Sequence, residues 1–121
     1  MQSTITIEGK NIAVETSVAA DRALSDRGRP LLAEMELYFS CLIRKQVRFH
    51  NAGDFGNEVS VSDSLNVRFR PVMTAKCDIT YEGDEPPLSD FPIVKPQAYV
   101  PHWLRIDYRR GEWVGEFGYT T

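Results

Sequence analysis

Cysteine and histidine are scarce, two of each in 121 residues, and their placement removes several kinds of chemistry. Cys41 and Cys77 lie far apart, with no CxxC, CxC or Cys/His cluster around either, so a structural zinc site has no support in the sequence. His50 and His102 are likewise isolated, and no metal or other cofactor is expected. The glycines form neither GxGxxG nor a phosphate-binding P-loop, even around Gly53 and Gly56. No GxSxG is present, and neither cysteine falls on a strand-to-helix turn where a nucleophile would sit. No apolar run approaches the ~20 residues needed to cross a bilayer as a helix. The opening Met1-Gln2-Ser3-Thr4-Ile5 has no basic region followed by an apolar one, so no signal peptide is expected and the cytoplasm is the expected location. Basic residues do not dominate either. Lys and Arg number 14 against 17 Asp and Glu, a net charge of −3. That balance excludes a globally basic nucleic-acid binder and leaves room for a local basic face.

What is present is a two-residue rhythm. Met35, Leu37, Phe39, Cys41, Ile43, Val47 and Phe49 share one phase, broken only by Lys45, while Glu36, Tyr38, Ser40, Arg44, Gln46 and Arg48 hold most of the other. Leu65, Val67, Phe69, Met73, Cys77, Ile79 and Tyr81 repeat the pattern, with Pro71 in phase and Asn66, Arg68, Arg70, Thr74 and Lys76 between them. Successive strand side chains point to opposite faces, so each stretch reads as β-structure with one face on a core. Both exceed an ordinary strand in length, which predicts curvature or a break near Arg44-Lys45 and near Pro71-Val72. Pro71 donates no ladder hydrogen bond and so predicts an edge position or a bulge.

Two hairpins flank these stretches. Ile5 and Ile7 lead through Glu8-Gly9-Lys10-Asn11 to Ile12 and Val14, and Leu104, Ile106 and Tyr108 lead through Arg109-Arg110-Gly111-Glu112 to Trp113, Gly115, Phe117 and Tyr119. One short helix is predicted from Thr16 or Ser17 as N-cap through Leu24, with Gly28 as a stop. The stretch 82–101 holds five of the seven prolines, together with Glu82, Asp84, Glu85 and Asp90. It reads as a strap on the core, a lid or a dimer arm.

The resulting expectation is one α+β domain over residues 1–121. It is a twisted antiparallel sheet of five to seven strands with one N-terminal helix, and it can curl into a half-barrel or sandwich. The expected core is Leu37, Phe39, Cys41, Ile43, Val47, Val67, Phe69, Met73, Cys77, Ile79, Leu104 and Ile106.

Charge is segregated on the water-facing phase. Arg44, Arg48, Arg68, Arg70, Lys76, Arg105 and Arg109, half of the 14 basic residues, fall there. If their strands are neighbours, they form one cationic face suited to carboxylate or phosphate. Tyr38 and Trp103 are the candidate stacking residues, a combination found on single-strand nucleic-acid sheets. Against this, Glu36, Asp78, Asp107 and Glu116 share those phases and can pair across strands.

The absence of a catalytic constellation favours a non-catalytic binding or interaction module, self-associating, with an acidic partner or small molecule as the other candidate ligand. A small enzyme or ligand-binding protein with a pocket under 82–101, reached by His50 or His102, is the second reading. Nucleic-acid or other polyanion binding through the basic face is the third.

Overall fold

In a computed structural model of the chain, residues 1–39, 44–53, 55–74, 88–90 and 99–119 are described. Nine strands and one helix lie among them. β1 (Gln2–Ile7) and β2 (Lys10–Thr16) form the first hairpin, and α1 (Val18–Asp26) follows. β3 (Leu31–Phe39), β4 (Arg44–Asn51), β5 (Val59–Ser62), β6 (Leu65–Thr74) and β7 (Leu88–Asp90) come next, and β8 (Trp103–Arg109) and β9 (Glu112–Gly118) close the chain.

The turns follow from backbone sterics. Glu8 and Gly9 have φ of 51° and 77°, and Arg110 and Gly111 have 52° and 78°. Ile7 pairs with Lys10 and Arg109 with Glu112, so each loop is two residues with both in the left-handed region. That turn matches the twist of the strands it joins, and glycine occupies its second position without steric cost.

The strands build two mixed sheets instead of the single antiparallel one expected. Sheet A runs β1-β2-β8-β9 and sheet B runs β4-β3-β6-β5, with β7 on β6 beyond β5. Each is two antiparallel pairs joined by a central parallel pair, β2 with β8 and β3 with β6. Alternation marks which residues face inward but says nothing about the direction of a partner far along the chain. The stretch from Met35 to Phe49 divides as expected, β3 ending at Phe39 and β4 beginning at Arg44, and the two pair with each other. Pro71, by contrast, sits inside an unbroken β6. Beyond Val67 the β5 pairing has ended, and β7 begins only opposite Val72. The proline therefore occupies a stretch that has β3 on one side and neither β5 nor β7 on the other, a local edge where a missing donor costs least.

The sheets face each other across one core. Ile12, Val14, Leu104, Ile106 and Phe117 come from sheet A, and Leu31, Ala33, Met35, Leu65 and Val67 from sheet B. Of the expected core, Leu37, Val67, Leu104 and Ile106 are buried, and Val47 and Phe69 pack against the cluster half-buried. Cys41, Ile43, Cys77 and Ile79 lie outside the described residues, and the side chains of Phe39 and Met73 are not among those described. The helix links β2 in one sheet to β3 in the other and buries Ala20 and Leu24, one turn apart. Ser17 caps it by accepting from the Ala20 amide (3.0 Å), while its hydroxyl donates to Asp107 Oδ1 on β8 (2.5 Å). Within the stretch 82–101, β7 adds to sheet B and Val100 joins the core. The Tyr119 hydroxyl donates to the Tyr99 carbonyl (2.7 Å).

Close approach of the sheets depends on Gly115. A Cβ there would stand 3.0 Å from Val47 Cβ and Cγ1 and from Phe49 Cζ on β4. Overpacking a close-packed interior costs about 1–3 kcal/mol. Gly115→Ala is expected to lose stability in that range by urea unfolding, while Val114→Ala, at a residue exposed on the next position, stays within about 0.5 kcal/mol. Equal effects would show that the 115 contact is not tight.

Candidate functional site

The seven basic candidates do not form one face. Arg105 and Arg109 stand on β8 of sheet A, whereas Arg44 and Arg48 stand on β4 and Arg68 and Arg70 on β6 of sheet B. Both sets occupy the outer phase, because Leu104 and Ile106 on β8 and Val47, Val67 and Phe69 on sheet B turn into the core between the sheets. The outer faces point away from each other. Lys76 lies outside the described residues.

On sheet A the charges balance. Asp107 accepts from Arg109 Nε (2.5 Å), Ser17 and the Tyr108 amide. Hydrogen bonds from Ser17 and Arg109 hold its carboxyl down at about 2. Arg105 lies 3.9 Å from Glu15 and 4.8 Å from the centre of the Trp103 ring. That ring rests on Gly118, where a Cβ would overlap it. Trp103 is thus stacked by its own chain. The grooves on this face, about 350 and 780 Å³, are lined by Glu15 as well as by Arg105, and His102 borders only the larger.

Sheet B is different. β3 is central, and its outer phase reads Leu32, Glu34, Glu36, Tyr38. Leu32 and Glu36 are 0% exposed and Glu34 is 2% exposed. The register explains why charged residues occupy these positions. Glu34 lies between Arg48 on β4 and Arg68 on β6, and Glu36 between Gln46 and Arg70. Arg48 Nε donates to Glu36 Oε1 at 2.6 Å, and the Tyr38 hydroxyl donates to the same oxygen at 2.8 Å. Arg48 Nη2 in turn donates to the Tyr38 oxygen at 3.0 Å. Arg70 Nη1 is 3.7 Å from Glu36 Oε2. Glu34 is held more loosely, with Arg68 Nε 3.3 Å from Oε2 and His50 Nε2 3.6 Å from Oε1. Neither approach has hydrogen-bond geometry. Glu34 Oε2, Glu36 Oε2, Arg68 Nε and His50 Nε2 are buried without a hydrogen-bond partner among the described residues.

The two carboxyls therefore differ. Burial pushes Glu34 up, the neighbouring Glu36 carboxyl pushes it further, and the charges of Arg68 and Arg70 only partly offset this, leaving it at about 7. Burial also acts on Glu36, but hydrogen bonds from Glu34, Tyr38 and Arg48, with the Arg48 charge, outweigh it and hold that carboxyl below its usual value. At neutral pH Glu36 carries the charge and Glu34 holds much of the shared proton.

Phe55 completes the site. Its ring centre is 4.6 Å from that of His50, and the Arg68 guanidinium lies 5.4 Å from it. The loop that carries it is shaped by Glu58, which accepts from the Gly53 and Phe55 amides and from Asn66 Nδ2.

The sequence-based candidates Arg48, Arg68, Arg70, Tyr38 and His50 thus meet around β3. Arg44 lies beside Tyr38 in the register, while Arg105, Arg109, Trp103 and His102 belong to the other sheet. Glu34 and Phe55 are absent from the sequence-based candidates, and Glu36 enters there only as a pairing partner. Their signal was two acids two residues apart on one strand phase, in a chain whose arginines occupy the same phase of two further strands.

Among the described residues no group of three or more His, Cys, Asp or Glu is placed to hold a metal ion, and no helix is long and apolar enough to cross a membrane. The chain matches no protein-family model, no curated protein and no solved structure.

Proposed function

We propose that the chain is a binding module, not a catalyst, and that the outer face of sheet B takes an anionic group of a small ligand. The observation that carries this reading is Arg68 beside the buried Glu34 carboxyl, close to it but not hydrogen-bonded to it. Three guanidiniums from two strands, Arg48, Arg68 and Arg70, flank the Glu34 and Glu36 carboxyls of β3. Ion pairs to the buried carboxyls orient the arginines, so less side-chain entropy is lost when an anion binds. Arg68 Nε is a buried donor with no acceptor in hydrogen-bond geometry among the described residues, and such a group gains most from a new partner.

A compact anion suits this arrangement better than a polyanion. The cationic residues of the two sheets face opposite ways, and those of sheet A are matched by Asp107 and Glu15. A polyanion tracking both faces would meet acids on one of them.

The test is a sulfate titration at low ionic strength, followed by the arginine Nε–H resonances. Arg68 and its neighbours on sheet B are expected to shift, with Arg105 and Arg109 unmoved. Arg68→Met is expected to weaken binding by roughly tenfold, as for loss of one charge-assisted hydrogen bond of about 1.5 kcal/mol. Shifts confined to Arg105 and Arg109, or none at all, would overturn the reading. A labelled single-stranded oligonucleotide that binds tightly, with steep loss on adding salt, would favour the polyanion instead.

A further inference from the structure

The outer strands of the two sheets differ in how they protect their free edges. β4 lies against β9 on one side of the sandwich, and β1 lies against β5 on the other. β4 carries Arg44, Lys45 and Arg48, and β9 carries Glu112 and Glu116. Charge on an edge discourages the addition of a further strand. β5 is only four residues long, and its register shifts between Ser60 and Ser62. A short or bulged strand is a poor template too. β1 has none of these defences. It reads Gln2-Ser3-Thr4-Ile5-Thr6-Ile7, with no charge and no proline, and it pairs with β2 in unbroken register along its whole length. Its isoleucines and threonines favour extended structure.

The hydrogen bonds of β1 fix which of its groups reach the open edge. Met1 and Thr16 exchange two main-chain bonds, of 2.8 and 2.9 Å. In an antiparallel pair such residues alternate with ones whose N–H and C=O point the other way. Ser3, Ile5 and Ile7 therefore bond to Val14, Ile12 and Lys10, and Gln2, Thr4 and Thr6 turn their amides and carbonyls away from β2. All three are exposed, and no other strand among the described residues pairs with this edge.

The strand is also complementary to itself. A twofold axis at Thr4 sets Thr4 beside Thr4 of a second copy, and Gln2 beside Thr6 of that copy, each as a hydrogen-bonded pair. Every outward amide and carbonyl of Gln2, Thr4 and Thr6 is then used. The side chains brought together on the outer face are threonine with threonine and glutamine with threonine, which can hydrogen-bond across strands. On the inner face Ser3 meets Ile5. No charge faces a like charge, whereas β4 paired with itself about Gln46 would set Arg44 against Arg48.

We propose that β1 is the interface between two copies of this chain, pairing antiparallel with itself and joining their A sheets into one continuous sheet. The inference is independent of the anion reading, because β1 is the edge of sheet A and the arginines of that reading lie on sheet B.

Sedimentation equilibrium of the full chain measures the association, and amide hydrogen exchange at low and high protein concentration locates it. The expected result is a monomer–dimer equilibrium. The Gln2, Thr4 and Thr6 amides gain protection as the dimer forms, while those of Ser3, Ile5 and Ile7 are protected at both concentrations. Thr4→Lys keeps the main-chain donor and sets like charges together at the axis, so the dimer weakens by about tenfold. Thr4→Pro removes both central donors and leaves the β2 ladder intact, and the dimer weakens by roughly a hundredfold. Both variants keep the circular dichroism of the unaltered monomer, and Glu116→Gln on β9 leaves the association as it is. If either Thr4 variant misfolds, the exchange pattern of the unaltered chain decides. A chain that stays monomeric up to about 1 mM overturns the proposal. A dimer in which the Gln2, Thr4 and Thr6 amides exchange as fast as in the monomer also overturns it. Protection of those amides that is equal at every concentration overturns it as well, because the chain itself would then cover this edge.

Discussion

Glu36→Ala is expected to cost about 3–5 kcal/mol of stability near pH 6, while Glu34→Gln costs less than about 1 kcal/mol. Both residues lie on the same face of β3, and both are buried, so a ranking by burial would score them alike. Their partners separate them. Glu36 receives Arg48 and Tyr38 on one oxygen and faces Arg70 with the other. Truncating it takes this counter-charge away from two half-buried guanidiniums, and removing one partner of a buried pair is the costly event. Glu34, near pH 6, is mostly the neutral acid, and glutamine reproduces its size and polarity. Urea unfolding followed by circular dichroism checks both variants. Comparable losses in the two, or a loss under about 1 kcal/mol for Glu36→Ala, would sink the assignment of the charge to Glu36.

The difference between these two glutamates also marks where sequence reading ends. The hairpins were legible because their cause is local. An X-Gly pair between alternating runs supplies the two positive φ values that a tight hairpin needs, and Glu8-Gly9 and Arg110-Gly111 adopt them. The inward phases of β3, β4, β6 and β8 were legible for the same reason, since alternation records each residue's own face. The pairing of β2 with β8 and of β3 with β6 was not legible. Those partners are distant in sequence, and nothing in a strand's alternation sets which distant strand lies beside it or in which direction. That pairing has a functional consequence. One cationic face requires the basic strands to be neighbours, and the arginines of β8 stand on the other sheet. The burial of Glu34 and Glu36 was hidden for a related reason. Their phase is polar, and polar phases of antiparallel sheets commonly face water. Whether such a position is buried depends on its place in the sheet, and β3 is central, with β4 and β6 on either side of Glu34.

The same pair sets how stability responds to pH. The Glu34 carboxyl titrates at about 7 in the folded chain against an ordinary 4.5. Between these values the folded chain keeps a proton that the unfolded chain has released, so stability decreases as pH rises through this window and levels off above it. From about pH 5 to about pH 8 the expected loss is on the order of 2–3 kcal/mol, because each pH unit crossed with one proton's difference between the two states is worth about 1.4 kcal/mol. Glu36 acts in the opposite sense. Its carboxyl lies below the ordinary value when folded, so its contribution is present above about pH 4.5 and fades as pH falls further. Asp107, held at about 2, has the same sign at the acid end. The two tendencies cross near pH 5, which becomes the expected optimum. Urea unfolding at unit intervals of pH tests this directly, with Glu34→Gln as the comparison. The unaltered chain slopes downward from about pH 5 to about pH 8, and the variant, having no proton to lose at that position, runs level. A level curve for the unaltered chain would mean that Glu34 is ionised in the folded state. The pair would then carry two charges beneath the arginines across the whole neutral range.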